Sequence, residues 1–579
     1  MKKAIYAFSG DPITYGHLDI IKRATEVFDE VTVAIGINPE KEYMFSLNER
    51  TMMAEQSLKN IPGVVVVAFE GLLVDYAYEH NIPVIIKGLR NGKDFDYELI
   101  LHQMSQSQQL DIDTFFLPAK QDLAHISSSS AKGLQLEQGL IHEYVPLYVK
   151  QCLEAKISGQ YIIGVTGEIG SGKSYLCEYF LECGRQRNIE VHNIELDHIG
   201  HQILGNLSEP LYQKVRNEIC EKFGSHIRNK DGAIDRKKLG DIVFNDMEKL
   251  AVLNQILSIP LLLRLRRDLY QKKGIIFFNA ALIAESSMAH LCNNNVVLVT
   301  VNKETQKKRL YQRNLSNEQI EKRLMSQYNT EKKISTLQQK SEANGQGKLW
   351  IIDNSDSART HDFDALFEEI VHTIDIYGEL RFKALYKRLG IEKDFEVNYR
   401  ALIRSFARKK RYYHTLQNTL ENLTELSKLK KQLVQYDIAE AALWYCHAVQ
   451  NTEAENSIEL NARYAYNTFK NSGLDVNFCN QVAYYIRCTN HLNPDLRDDA
   501  VCLADIDLLV LGKSEEVFAE FESNLRREFY WMPENQYLHL RKEHYQRLLQ
   551  RPAVFLSGYF KQYETQARKN LERFLGISG

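Results

Sequence analysis

Residues 167–174 read Gly-Glu-Ile-Gly-Ser-Gly-Lys-Ser, the pattern G-x-x-x-x-G-K-S, and they directly follow the apolar run 161–165. A chain carrying that pattern there is committed to strand, phosphate loop and helix in that order. Gly167, Gly170 and Gly172 let consecutive backbone N–H groups turn toward phosphate oxygens. Lys173 supplies a point charge to the β/γ-phosphates, and Ser174 offers its hydroxyl to Mg²⁺. A nucleotide is therefore the expected ligand of this segment.

The loop begins only after more than a hundred and fifty residues that form an α/β pattern of their own, and the chain runs to 579 residues, too many for one hydrophobic core. Three or more domains are expected. With 72 basic and 75 acidic residues the net charge is -3, so there is no electrostatic reason to expect nucleic acid or an anionic membrane as partner. The apolar run 4–8 is too short for a signal peptide, and nothing later reaches the roughly 18 apolar residues of a spanning helix. The expected location is cytoplasmic. Nine cysteines without a C-x-x-C pair read as reduced thiols.

In the first part, short apolar runs at 4–8, 31–37, 64–69, 84–86 and 115–117 alternate with helix-length amphipathic segments, the pattern of a parallel, doubly wound sheet. Ligands of such sheets bind beyond the carboxyl ends of the strands, which singles out Ser9, Lys41, Lys87, Arg90, Ser127, Ser128 and Ser129. After the first run comes Gly10-Asp11-Pro12-Ile13-Thr14-Tyr15-Gly16-His17. An Asp-Pro turn followed by Thr-x-Gly-His at a helix start would place Thr14, His17 and the helix N-terminal amides around an anionic group.

This segment resembles the T/H-x-G-H signature of nucleotidylyltransferases. The likeness extends to bacterial phosphopantetheine adenylyltransferases through Lys41-Glu42-Tyr43-Met44-Phe45-Ser46-Leu47-Asn48-Glu49-Arg50, Ile86-Lys87-Gly88-Leu89-Arg90, Asp94-Phe95-Asp96-Tyr97-Glu98 and Ile126-Ser127-Ser128-Ser129. The resemblance implies that His17 and Lys41 hold the ATP phosphates and the phosphate of 4′-phosphopantetheine, and that Arg90 with Ser127, Ser128 and Ser129 holds the triphosphate. Ser9, Thr14, Lys87 and Glu98 complete the implied nucleotide side. Where that family has Gly-Thr/Ser-Phe-Asp-Pro, this chain reads Phe8-Ser9-Gly10-Asp11-Pro12, and the aromatic at a glycine position is expected to hinder close backbone approach to phosphate. Lys87 replaces the usual arginine, exchanging a fork for a point charge. Reduced activity is the expectation.

In the second part, runs at 161–165, 191–194, 275–278, 296–301 and 349–352 read as strands. Residues 160–370 resemble dephospho-CoA kinase through the phosphate loop, Glu195-Leu196-Asp197, Ala281-Leu282-Ile283-Ala284-Glu285, Lys308-Arg309-Leu310-Tyr311-Gln312-Arg313, Gln327 and Ile352-Asp353-Asn354. The implied roles are catalytic carboxylate for Glu195, its companion for Asp197, and a lid over ATP for Arg309 and Arg313. Glutamate stands at 195 where the family has aspartate, and the family's His-Pro reads Ile259-Pro260. Nucleotide binding is expected more firmly than turnover.

From about residue 377 the chain turns to helix-forming sequence, with helices expected over 412–436, 439–450 and 457–472. It resembles a predicted HD-type metal-dependent phosphohydrolase family through Arg411-Tyr412-Tyr413-His414-Thr415-Leu416, Ala442-Leu443-Trp444-Tyr445-Cys446-His447-Ala448-Val449, Thr489-Asn490-His491, Asp505-Ile506-Asp507-Leu508 and Arg551-Pro552-Ala553-Val554-Phe555. The family's metal-binding His-Asp aligns with Cys446-His447, leaving His414, Cys446, His447 and Asp507 as a softer candidate set that would favour Zn²⁺. A metal-free helical module, serving dimerisation or sensing a nucleotide or CoA, is the favoured alternative.

The expected architecture is α/β, with a Rossmann-like nucleotidylyltransferase domain over 1–157, a P-loop kinase domain over 158–374 and an all-α HD-like domain over 375–579. The expected activity is coenzyme A synthesis: adenylyl transfer from ATP to 4′-phosphopantetheine, then phosphorylation of dephospho-CoA, with ATP and Mg²⁺ as cofactors and small molecules as partners. A nucleotide- or CoA-binding regulatory or scaffold protein, and a phosphohydrolase acting through the helical region, stay open beside it, as does homo-oligomerisation.

Overall fold

The computed structural model describes residues 2–577 except 39–40, 206, 244–245, 287, 313–316, 326, 357–359, 392, 409, 454–455 and 490–498. Residues 1–370 form one compact unit and 371–579 a second.

The first unit contains two five-stranded parallel sheets. One is built from β1 (Lys3–Phe8), β2 (Glu30–Ile35), β3 (Val64–Ala68), β4 (Val84–Leu89) and β5 (Asp113–Pro118), in the order β3-β2-β1-β4-β5. The other is built from β6 (Gln160–Thr166), β7 (Val191–Glu195), β8 (Gly274–Asn279), β9 (Val296–Thr300) and β10 (Leu349–Asp353), in the order β10-β9-β6-β8-β7. β6 and β8 are buried at every position, as expected of central parallel strands covered on both faces. In each sheet the first strand lies in the middle; the first sheet winds outward to both sides, while in the second the chain reaches the edge strand β7 before β8 fills the gap and β9 and β10 follow on the other side, so the loop after β1 and the loop after β6 each open at a topological switch point.

Helix starts follow local chemistry. Ser46 caps the helix Leu47–Leu58, accepting from Glu49 N at 3.3 Å while the Glu49 carboxylate accepts from Ser46 N at 2.7 Å. This reciprocal pairing satisfies two otherwise orphaned donors.

The two sheets are joined by more than chain continuity. The helix Leu147–Leu153 passes through a π turn, Glu154–Ser158, directly into β6. On it Lys150 and Glu154 are buried as an ion pair at 2.5 Å. Lys150 also donates to Leu291 O (3.2 Å) and Asn293 Oδ1 (3.0 Å), and Asn293 Nδ2 donates to Glu154 Oε2 (2.6 Å). His142 stacks on His290 at 4.1 Å nearby.

The second unit is helical throughout its described residues and is organised around the helix Tyr436–Tyr445, whose residues from Ile438 to Tyr445 are all buried. A helix apolar on every side belongs at a core centre. The long helix expected over 412–436 is not formed: the helix runs over Leu416–Lys428. Thr415 caps it, accepting from Asn418 N at 3.3 Å. The amides of Tyr412, Tyr413 and His414 are bound instead by the Glu528 carboxylate, from far along the chain.

Removing one partner of the buried junction pair leaves the other charged without compensation. Lys150→Ala is expected to destabilise the first unit by about 3 to 5 kcal/mol, read as a lower midpoint in urea unfolding of the full chain.

Candidate active sites

Around the end of β1, side chains from distant segments pair the backbone. Asp11 accepts from Phe45 N (2.9 Å) and Met44 N (3.2 Å) and is held by Lys132 at 2.6 Å. Arg50, almost wholly buried, donates to Gly36 O (2.7 Å), Phe45 O (3.3 Å) and Ser9 O. Neither residue figured among the expected site residues. Their partners lie in segments that sequence spacing does not bring together.

At the start of the helix Tyr15–Thr25, His17 Nδ1 accepts from Thr14 N at 3.0 Å, with Thr14 Oγ1 at 2.9 Å. Burial, reinforced by the charges of Arg90 and Lys41, pushes the His17 imidazole down to about 3. It is therefore neutral at pH 7, and with Nδ1 accepting, Nε2–H is the donor left for a ligand. Thr14 is buried, with its hydroxyl directed at His17. The serine cluster also narrows. Ser127 Oγ caps its helix by accepting from Ser130 N at 3.0 Å, and Ser128 Oγ donates to Pro12 O at 2.8 Å. The first-turn amides of the helix Ser128–Leu136 are what this segment offers an anion, with Ser129 exposed beside them. Lys87 is paired with Glu98 at 2.8 Å, Arg90 with Asp94 at 3.0 Å, and Lys41 is exposed. Ser9 is half-buried at the mouth of the same loop.

At the end of β6 the phosphate loop is pressed against the strand ends beside it. A methyl group at Gly172, which has φ +92°, would lie 2.1 Å from Asn354 Nδ2, so only glycine fits. Asn354 Nδ2 donates to Ser171 O at 2.9 Å. Arg309 donates to Ser171 O (3.2 Å) and Asn354 O (2.8 Å), and its guanidinium also faces Gly170 O. Arg309 thus braces the loop itself; Arg313 lies outside the described residues. Lys173 Nζ reaches back to Gly167 O (3.0 Å) and Glu168 O (3.3 Å).

Three further groups were not anticipated. Asn279, buried at the end of β8, donates to Ser174 Oγ and to Glu195 Oε1, each at 3.3 Å, and so links the metal-side hydroxyl to the candidate base. Glu168 accepts from Thr330 N (2.8 Å), Thr330 Oγ1 (2.9 Å) and Gln306 Nε2 (3.1 Å). Lys333, fully buried, pairs with Glu285 at 2.5 Å and donates to Ala281 O at 2.7 Å. Asp197 is exposed in the first turn of the helix Leu196–Leu204.

Fold and sites define a nucleotidylyltransferase-type α/β domain followed by a P-loop phosphotransferase-type domain. Family comparison agrees. A family model described as "Cytidylyltransferase-like" matches residues 9–133, and one described as "Dephospho-CoA kinase" matches residues 161–346. Phosphopantetheine adenylyltransferase of Clostridium tetani (strain Massachusetts / E88) is 47% identical over 146 residues, 25% of this chain and 91% of that relative. The enzyme of the same description from Clostridium novyi (strain NT) is equally similar, at 47% over 146 residues and the same coverage. Through this segment the chain belongs to the phosphopantetheine adenylyltransferase family. The solved structure of TT1252 from Thermus thermophilus is 22% identical and covers 37% of this chain and 97% of its own, with a TM-score of 0.28.

In the helical unit, the candidate metal residues are taken up by other partners. His447 Nε2 lies 2.8 Å from Asp507, Cys446 Sγ donates to Leu443 O at 3.3 Å, and His414 Nδ1 lies 2.6 Å from Glu528 Oε2. Among the described residues no three His, Cys, Asp or Glu side chains are grouped to hold a metal ion. His491 lies outside those residues. Burial opposes charge on His447, but the Cys446 sulfur and the Asp507 carboxylate outweigh it and raise the imidazole well above its usual range. Burial likewise opposes charge on Glu528, yet His414 and the backbone amides bonded to it hold the carboxyl down at about 2.

A carboxyl depressed on folding stabilises the fold above its unfolded value and ceases to do so as pH falls through the folded one. Glu528→Gln is therefore expected to cost about 3 kcal/mol at pH 7. The gap from wild type in urea unfolding should close as pH drops from 4.5 toward about 2.

Proposed function

We propose that the chain carries out two successive steps of coenzyme A synthesis, joining ATP and 4′-phosphopantetheine into dephospho-CoA and then phosphorylating its 3′-hydroxyl. The observation that carries this reading is the fusion within one compact unit of an adenylyltransferase-family domain with an assembled His17 site and a phosphate-loop domain of dephospho-CoA kinase type. The product of the first is the substrate of the second.

In the first step a phosphate oxygen of 4′-phosphopantetheine attacks the α-phosphorus of ATP and pyrophosphate leaves. The nucleophile is already anionic, so the protein's work is positioning and charge neutralisation. Neutral His17 donates from Nε2 without adding a charge that must be desolvated, and the first-turn amides of the helix Ser128–Leu136 face the anion. Lys41, Lys87 and Arg90 supply positive charge, the last two from positions already steadied by Glu98 and Asp94.

In the second step the ribose hydroxyl must lose its proton, and Glu195, held by Asn279, is placed to orient and accept it. Lys173 leaves its own loop carbonyls to meet the nucleotide's phosphates. Ser174 Oγ and the Glu195 carboxylate, both steadied by the Asn279 amide N–H, offer the sparse oxygen set that suits Mg²⁺, an ion that keeps waters and phosphate oxygens as its other ligands. Once bound there, Mg²⁺ would neutralise charge on the transferred phosphoryl.

For residues 371–579 we favour a metal-free helical module, since His414 and His447 are each committed to a carboxylate. No helix among the described residues is long and apolar enough to cross a membrane.

The purified chain given ATP, Mg²⁺ and 4′-phosphopantetheine is expected to yield dephospho-CoA and CoA by mass spectrometry. Lys173→Ala should accumulate dephospho-CoA alone, and His17→Ala should yield neither. Nucleotide binding without either product in the wild type would replace this reading with a regulatory one. Asn279→Ala is expected to slow the kinase step about tenfold or more through misplacement of Glu195, with dephospho-CoA formation unchanged when the two steps are assayed separately.

A further inference from the structure

The segment after β1 has an exchange in it. The adenylyltransferase motif it resembles places glycine first and an aromatic third, whereas here Phe8 is first and Gly10 third. The Phe8 ring turns toward the space over Gly10. A methyl group at Gly10 would meet Phe8 Cε2 at 3.2 Å and Ile35 Cδ1 at 3.4 Å, and Gly10 has φ +59°. The loop therefore keeps one aromatic ring over one glycine, with the ring supplied from the other side.

That ring touches the site. Phe8 and His17 lie with centroids 4.3 Å apart and planes 12° from parallel, while Tyr6 backs Phe8 at 4.9 Å. The imidazole is thus held at its edge, by the Thr14 bonds to Nδ1, and on its face, by Phe8. An edge bond alone leaves the ring free to rock about the bonded nitrogen, and a flat stack removes that freedom.

We propose that Phe8 is a positioning residue of the adenylyl-transfer site, whose flat stack on His17 sets the imidazole plane and so aims Nε2–H at the phosphate it must meet. This rests on the reading of the first domain as an adenylyltransferase. The ring lies against Gly10 and beside the His17 imidazole. The apolar face that Phe8 provides also contributes to the burial that keeps His17 neutral.

The test is a double-mutant cycle on the full chain, with dephospho-CoA formation as readout. Phe8→Leu keeps apolar bulk and removes the planar face. It is expected to lower kcat about tenfold, the scale of a modest misplacement, with KM for ATP within about twofold, and Phe8→Tyr should restore most of the loss. In a His17→Ala background Phe8→Leu should cost nothing further. In ¹³C-histidine-labelled protein, Phe8→Leu should shift the His17 ring signal as the ring current of the stacked phenyl is lost. An unchanged kcat in Phe8→Leu, equal losses in the leucine and tyrosine variants, or an undiminished loss in the His17→Ala background would each overturn the proposal. If wild type makes no dephospho-CoA, the adenylyltransferase reading fails. The chemical shift of the His17 ring then still decides the stack: a signal indifferent to Phe8→Leu overturns it.

Discussion

A buried backbone carbonyl or amide needs a partner, and the loops after β1 and β6 cannot find theirs in a sheet or a helix. Both loops turn at a switch point with their remaining amides reserved for phosphate. The protein meets that constraint with side chains from elsewhere: Arg50 on Ser9 O, which it ties to the carbonyls of Gly36 and Phe45, and Arg309 with Asn354 on Ser171 O. Each is charged or polar, and its partners lie on backbone from a different segment. Arg50 shows the cost of the arrangement, since burial presses its guanidinium below its usual range. The gain is a pair of stiff loops, the condition under which amides aimed at an anion act without reorganising.

The parts of this design that were legible in the sequence are those set by local spacing. The phosphate loop, the Thr-x-Gly-His turn and the run of strands all follow from residues within a few positions of one another. The bracing residues are not of that kind. Asn279 ends an apolar strand and looks like any strand-terminating amide until β8 is placed beside β6 and β7. Lys333 sits in a stretch that reads as a solvated charge run, and only the packing of its helix against Glu285 makes it a fully buried ion. The expected helix over 412–436 failed for the same reason, because its opening amides are claimed by Glu528, more than a hundred residues away in sequence.

In the helical unit the four candidate metal residues are tied into hydrogen bonds. His414, Cys446, His447 and Asp507 are chemically fit as ligands, yet a ligand must keep a lone pair free and aim it at a common point. Here His447 is paired with Asp507, and His414 with a Glu528 that also accepts three amides, while the Cys446 thiol points at a carbonyl. His447 and Asp507 thus hold each other, and the His414 ring lies 4.5 Å from that of His447, so these side chains form one connected polar cluster.

The two departures at the catalytic loops have a common logic. A change at one position was expected to impair the site on the assumption that the rest of the site stayed fixed. At the first loop the aromatic ring arrives at position 8 as glycine arrives at position 10, and the space between them is filled once. At the second the longer carboxylate of Glu195 is met by a neutral amide donor at Asn279, which can hold the extended side chain beside Ser174 where a second carboxylate would repel it.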